Sequence, residues 1–326
     1  MEGKYTLDDI ARELGVSKTT VSRAISGKGR VSARTRERVR EFIGLHGFRP
    51  NAVAKSLAQS RTHNLALLLP GGDALDFSFF QQCLQGICDV ASQNDHDVLL
   101  TMDESQLERV VANGKADGVI AARSEVDSAA VGLLKAKGIP FVVIGRTRDP
   151  DVAYVDNDNR AACRAMTGAL LDRGLRRLAL LSGDENHAVT RSRREGFLDA
   201  CRAAGVPESG TLLLRDVTGA DRAAAAVDSA AAWGADCIVC MDDRISAVAL
   251  ARLDETGISV PGDVRLASFY DSPVLECVSP PVTSLRFDGT ALGREACRAL
   301  LALLEGGETS GKVLPGYRIM ERASTR

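Results

Sequence analysis

The chain has 326 residues, 45% hydrophobic and 26% charged, with 30 Gly, 10 Pro and a net charge of −2. That length corresponds to about two or three domains with ample core, and the composition excludes collagen, coiled coil and wholesale disorder. No apolar run reaches the roughly 18 residues of a membrane span, and the opening Met1-Glu2-Gly3-Lys4-Tyr5 lacks the apolar stretch of a secretion signal, so a cytoplasmic protein is expected.

Charge is spread unevenly. Residues 1–60 hold 12 Lys and Arg against 6 Asp and Glu, leaving 29 against 37 for the remainder. A basic head that meets a polyanion, on a mildly acidic body, is the expectation. Thr6-Leu7-Asp8-Asp9 reads as an N-cap with an acid three residues on, and it opens a helix through Leu14. Gly15 permits a tight turn, after which Ser17 caps a second helix over Lys18–Ser26. Val21, Ala24 and Ile25 recur there at helical spacing and turn inward, which leaves Lys18, Thr19, Ser22 and Arg23 outside. These are donors and acceptors suited to base edges and phosphates, near a helix N-terminus. Ser32 caps a third helix, with Val39, Phe42, Ile43 and His46 inside and Arg34, Arg36, Arg38 and Arg40 outside. The unit reads as a helix-turn-helix for double-stranded DNA, or as a protein-interaction module.

Phe48-Arg49-Pro50-Asn51 opens a junction. The stretch Asn51–Gln59 is compatible with a helix but too short to be stable alone in water. Val53/Leu57 and Ala54/Ala58 pair one turn apart. Small alanines let two copies approach closely and free Leu57 as an apolar wedge that opens a base step from the minor groove. A plain linker explains the polar Gln59-Ser60-Arg61-Thr62 tail but not this spacing.

From residue 64 onward, apolar runs alternate with helical patterns. Strands are expected at Leu65–Leu69, Val98–Met102, Gly118–Ala122, Phe141–Gly145, Arg177–Ser182, Cys237–Met241 and Val264–Phe269. Most are continuously apolar, as in a parallel sheet covered on both faces. Helices are expected at Phe80–Ser92, Ser128–Lys137, Asn159–Arg173, Arg191–Ala204, Ala220–Trp233 and Arg244–Thr256, several stopping at a glycine. Such alternation means a doubly wound α/β architecture. The units are too many for one compact sheet, so two lobes are expected, joined near Tyr154–Asn159, with a small-molecule cleft at the carboxyl ends of the strands.

Eight cysteines stand at 83, 88, 163, 201, 237, 240, 277 and 297, mostly inside apolar segments. Cys237-Ile238-Val239-Cys240 has the C-x-x-C spacing, but on a strand residues three apart face opposite ways. Buried structural thiols are expected, with no metal site and no cofactor. There is no G-x-G-x-x-G after the first strand, no G-x-x-x-x-G-K-[ST] and no G-x-S-x-G, which argues against an enzyme. A two-lobed solute-binding protein is the other rival.

Taken in order, Thr6-Leu7-Asp8-Asp9-Ile10-Ala11, Gly15-Val16-Ser17, Thr20-Val21-Ser22-Arg23, Val31-Ser32, Thr35-Arg36, Pro50-Asn51 and Ala54–Leu57 resemble the head of the lactose-repressor (LacI/GalR) family of bacterial regulators. Weaker similarity continues through Asp156-Asn157, Arg193-x-x-Gly196-Phe197, Val260-Pro261-Gly262-Asp263-Val264 and Glu321-Arg322-x-Ser324-Thr325.

The resemblance implies a helix-turn-helix head over 1–47, a hinge helix and linker over 48–62, and a two-lobed, periplasmic-binding-protein-like effector and dimerisation domain over 63–326. The chain would cross between lobes near 156–160 and again near 285–320. It implies a cytoplasmic, nucleoid-associated homodimer, with no membrane partner, that represses or otherwise regulates transcription from a pseudo-palindromic operator. The DNA contacts would come from Thr6, Ser17, Lys18, Thr19, Thr20, Ser22, Arg23, Arg30, Ser32 and Thr35, with Asn51, Ala54 and Leu57 in the hinge. The effector, a sugar or sugar derivative, would meet Phe77, Phe80, Asp156, Arg193, Asp243, Tyr270 and Asp271. A global regulator controlled by a protein partner is the alternative. Two departures stand out: the family's pocket acid falls at Tyr270, so that Asp271 substitutes or the contact is lost, and its stacking aromatic corresponds to Val239.

Overall fold

The computed structural model describes residues 5–27, 29–48, 61–69, 77–122, 129–147, 149–308 and 310–326. The expected hinge residues Asn51, Ala54 and Leu57 lie outside them. The chain divides into two compact units, residues 1–62 and 63–326.

In the first unit, α1 (Leu7–Leu14), α2 (Lys18–Ser26) and α3 (Ala33–His46) each begin where a side chain satisfies a free backbone donor. The Thr6 hydroxyl accepts from the Asp9 amide while the Asp9 carboxylate accepts from the Thr6 amide at 2.9 Å, a reciprocal capping box. Ser17 and Ser32 accept from Thr20 and Thr35, each at 3.1 Å. Gly15, at φ +64°, ends α1 in the left-handed conformation that makes the turn into α2. Ile10, Ala11, Val21, Ala24 and Val39 form the buried centre. His46 departs from the expected inner stripe: it is exposed, and its ring caps the core rim, 4.2 Å from Phe42 and 4.7 Å from Tyr5.

The second unit holds two six-stranded sheets. The first runs in the order β2 (Asp97–Thr101), β1 (Asn64–Leu68), β3 (Gly118–Ala121), β4 (Phe141–Ile144), β5 (Tyr154–Asn157), β11 (Lys312–Leu314), all parallel. The second runs β7 (Thr211–Leu214), β6 (Leu178–Leu181), β8 (Cys237–Cys240), β9 (Arg265–Ser268), β10 (Thr283–Arg286), β12 (Arg318–Met320), with only β12 antiparallel. Strand β1 shows why the sequence runs are continuously apolar. Leu65 and Leu67 enter one core cluster while Ala66 and Leu68 enter another on the opposite face.

Helices cover both sheets: α4 (Phe77–Gln93), α5 (Glu104–Ala112) and α6 (Ala129–Ala136) around the first, and α7 (Asn159–Asp172), α8 (Ala188–Ala203), α9 (Ala220–Trp233), α10 (Asp243–Glu255) and α11 (Pro273–Cys277) around the second. The last long helix, α12 (Gly289–Leu304), returns to the first lobe. The chain therefore changes lobe three times, after β5, after β10 and after β11. Within each lobe one helix pair is drawn together by glycine. A Cβ on Gly293 would fall on the carbonyl oxygen of Cys83 in α4, and one on Gly196 on that of Arg160 in α7.

Cys237 and Cys240 lie fully buried in β8, and burial pushes both thiols well up, Cys240 to about 12. Among the described residues no group of three His, Cys, Asp or Glu could hold a metal, and no helix is long and apolar enough to cross a membrane.

Candidate functional site

Two surfaces carry chemistry. On the first unit, burying Val21 and Ala24 of α2 leaves Lys18, Thr19, Ser22 and Arg23 exposed together, with Arg30 exposed in the turn that follows. Gly29, at φ +85°, turns the chain beside the Arg23 stem; a Cβ there would lie 3.1 Å from its Cδ. The remaining polar residues of the expected interface do local work first. Ser17 and Thr20 share a 2.8 Å hydroxyl contact, as do Ser32 and Thr35, and Thr6 is held by Asp9. Lys18 pairs with Asp8 at 2.7 Å, an exposed contact that a phosphate readily replaces. Arg38 is not a free outer cation: it donates to the Leu14 carbonyl at 3.1 Å and ties α3 to the end of α1. Arg36 is half-buried.

On the second unit, the carboxyl ends of β5, β8 and β9 converge with the second turn of α8. Arg193 of α8 donates from Nε to Asn159 Oδ1 at 3.1 Å and from Nη1 to the Met241 carbonyl at 2.8 Å. Asn159 uses its other amide atom: Nδ2 donates to Asp156 Oδ1 at 3.2 Å, and that oxygen also accepts from the Asn157 amide at 2.8 Å. A polar chain thus runs Asp156–Asn159–Arg193–Met241. Burial pushes the Asp156 carboxyl up to about 6, against the hydrogen bond from Asn157 and the charges of Arg146 and Arg193. Asp242, the N-cap of α10, is likewise pushed up by burial, whereas Asp243 is half-buried at the first helical position.

Apolar walls complete the cleft. The Arg193 guanidinium lies 5.9 Å from the ring centres of both Tyr270 and Phe287. Tyr270, just beyond β9, meets Phe79 of α4 edge-on at 6.2 Å, and Phe79 meets Phe80 at 5.2 Å. Phe79 packs against the cores of both lobes. Phe77 opens α4, with its side chain outside the described set. Val239 faces no cleft: it is fully buried in β8, and the aromatic surface comes instead from Tyr270, Phe79 and Phe287.

Asp271 is committed elsewhere. Its two oxygens accept from Ser284 Oγ at 2.5 Å, Arg286 Nε at 2.6 Å and Arg322 Nη1 at 2.7 Å. Burial alone would raise this carboxyl, but the hydrogen bonds from Arg322, Ser284 and Arg286 outweigh it and hold it below the usual range. Asn159, Phe79 and Phe287 are the cleft residues that sequence reasoning missed. The dense Asp156-Asn157-Asp158-Asn159 run at a strand end was the available signal for Asn159.

This cleft can accept hydrogen bonds from hydroxyls through carboxylates, donate through a fixed guanidinium, and pack a ring against aromatics. The chain as a whole is similar to known proteins. A model of bacterial regulatory proteins of the lacI family matches residues 6–51, and one of the periplasmic binding protein-like domain matches 167–325. The HTH-type transcriptional regulator CelR of Thermobifida fusca is 30% identical over 316 residues, covering 93% of each chain. Catabolite control protein A of Staphylococcus aureus is 27% identical over 333 residues, 98% of this chain and 99% of its own. Among solved structures, a CelR–cellobiose complex aligns with a TM-score of 0.74 at 29% identity, covering 98% of this chain and 100% of that one. A lac repressor dimer bound to operator and the anti-inducer ONPF shares the fold, with a TM-score of 0.82 at 22% identity and 99% of each chain covered. With its helix-turn-helix head and two-lobed body, the chain belongs to the LacI family of bacterial regulatory proteins, the DNA-binding transcriptional regulators.

Proposed function

We propose that this chain is a repressor that binds a pseudo-palindromic operator as a homodimer and is switched by a sugar or sugar derivative in the inter-lobe cleft. The observation that carries the DNA half is the solvent face of α2, where Lys18, Thr19, Ser22 and Arg23 stand clear while Val21 and Ala24 anchor the helix. In this reading α2 enters the major groove, Arg30 and the capped starts of α1 and α3 meet phosphates, and the 48–62 segment folds on binding, with Leu57 wedged into the minor groove. Support for a second copy comes from β2. It is an edge strand that keeps Leu100 51% exposed, with Met102 just beyond it 37% exposed, an apolar edge that a monomer would cover or charge.

The sugar half rests on the polar chain through Asp156, Asn159 and Arg193 with Tyr270 and Phe287 alongside, and on the cellobiose bound by the similar CelR. Arg193 and Asp156 would take the hydroxyls, Tyr270 and Phe80 would pack the ring, and Asp243 would stand at the rim. A ligand of this kind shifts operator affinity only through its differential affinity for two lobe arrangements.

The test is selection of random duplexes by purified protein, followed by titration of mono- and disaccharides against the selected duplex. A palindrome with a central pyrimidine–purine step, released or tightened by one sugar, is the expected result. Folded protein that enriches no duplex, alone or with metabolite pools, would overturn the reading. Intrinsic fluorescence will not report the cleft: Trp233 closes α9 under Arg177, which lies 4.2 Å from its ring just before β6, at the opposite end of the strands.

A further inference from the structure

A cavity of about 860 Å³ opens where the chain changes lobes. Asn157 at the end of β5, where the first crossing begins, Arg286 to Asp288 on the second passage and Leu314 to Arg318 on the third all line it. It shares Phe287 with the cleft described above, but none of Asp156, Arg193, Asp242 or Tyr270 borders it, so its charged lining is separate from that of the cleft.

Its wall gathers like charges. Arg286 and Arg318 stand directly opposite each other in the antiparallel β10–β12 pair, an arrangement that costs stability when left unrelieved. Arg294 and Arg298 lie one turn apart on α12, again a like-charge pair. Part of this charge is balanced internally. Arg294 pairs with Asp89 at 2.8 Å, Arg286 with Asp271 at 2.6 Å, and Glu295 is shared by Lys312 and Arg298, each at 2.5 Å. Asp288 is engaged as the N-cap of α12, accepting from Ala291 at 2.8 Å. Glu295 carries one charge against two, and Arg318 makes no ion pair among the described residues. Phe287, Leu314, Pro315 and Tyr317 supply apolar wall between these cations.

We propose that this cavity is a second effector site, for a small organic polyanion: a carbon body bearing a phosphate or several carboxylates. The charged groups would bridge Arg318 and Arg298, relieving both like-charge pairs, while the body packs on Tyr317 and Leu314. Because the ligand would bridge α12 of the first lobe and β12 of the second, its affinity differs between lobe arrangements, which couples it to the cleft.

Calorimetric titration of the full chain with citrate and with glycerol 3-phosphate at low ionic strength tests this, without DNA or sugar, so failure of the sugar reading would leave the result standing. Saturable binding of at least one probe is expected, weakened at least about tenfold by Arg318→Ser and, separately, by Arg298→Ala. The variant Arg109→Ala, exposed on α5 outside the cavity lining, should bind the probe unchanged. The proposal is overturned if neither probe saturates, or if binding is unchanged in both cavity variants.

Discussion

Replacing Asp271 with Asn distinguishes a structural carboxylate from a ligand contact. The Asp271 side chain is 2% exposed and that of Arg322 10%, so their pair is desolvated, whereas Arg286 is 45% exposed. Removing the charge leaves Arg322 buried beside the Val282 carbonyl and Ser284 hydroxyl, with the exposed Glu276 carboxylate at 3.6 Å as its remaining counter-ion. Breaking a buried pair from one side costs about 3–5 kcal/mol, while the exposed Arg286 contact contributes about 0–1 kcal/mol. A loss near 4 kcal/mol is expected, which lowers Tm by roughly 10 °C in a unit of this size. Circular dichroism melts at neutral pH read it. The double variant Asp271→Leu/Arg322→Met should recover most of the loss, because an apolar pair carries no desolvation penalty. The pH dependence has a fixed sign. With its folded pKa depressed, Asp271 stabilises fully above the unfolded value near 4, and that stability drains as pH falls through the folded pKa. If Asp271→Asn melts within about 1 kcal/mol of wild type yet loses the sugar response, the structural reading is refuted and Asp271 is a ligand contact.

Gly196→Ala should force α7 and α8 apart and cost about 2 kcal/mol, measured by denaturant unfolding; an unchanged midpoint would mean the helices are not in backbone contact. Arg23→Ala should relax operator preference at one base position by about 1–3 kcal/mol, while Arg34→Ala, exposed at the start of α3, should lower affinity evenly and reduce the salt slope. Arg193→Ala should abolish the effector response with operator binding intact; a retained response removes it from the pocket. Since Asp156 titrates near 6, hydroxyls that bind its ionised form should displace a proton. Binding heat should therefore vary with buffer ionisation enthalpy at pH 6 and not at pH 8; independence at pH 6 would place the ligand away from Asp156.

The legible parts of the sequence were those where one physical requirement dominates. Caps at Thr6, Ser17 and Ser32 are local events, readable from a hydroxyl ahead of an amphipathic run, and each forms its expected bond. Long apolar strands buried on both faces were equally plain, within a residue or two. What escaped was short or non-local. Every residue of β7 is only half-buried, and β11 and β12 have three residues each, so periodicity carries little signal there. The cleft followed the same division. Arg193 and Asp156 came from the family pattern, but Asn159 acts by joining Asp156 to Arg193, 34 residues on, and Asp271 proved to be held by Arg322, 51 residues away. Val239 shows the converse. A position matched by pattern offers the cleft no surface, because β8 is covered on both faces and all four of its residues are fully buried.

The polar chain also indicates how binding could move the lobes. Asp156 belongs to a strand of the first lobe, while Asn159 and Arg193 belong to helices of the second, and the amide of Asn159 joins the two across the first crossing. On the opposite wall, Phe79 of the first lobe meets Tyr270 of the second. A ligand that donates a hydrogen bond to Asp156 and accepts one from Arg193 must compete with or reorient Asn159, and a ring inserted beside Tyr270 must displace or follow Phe79. Each substitution changes a contact between lobes rather than within one. The binding energy therefore enters as a difference between two lobe arrangements, the only form in which it can shift a conformational equilibrium.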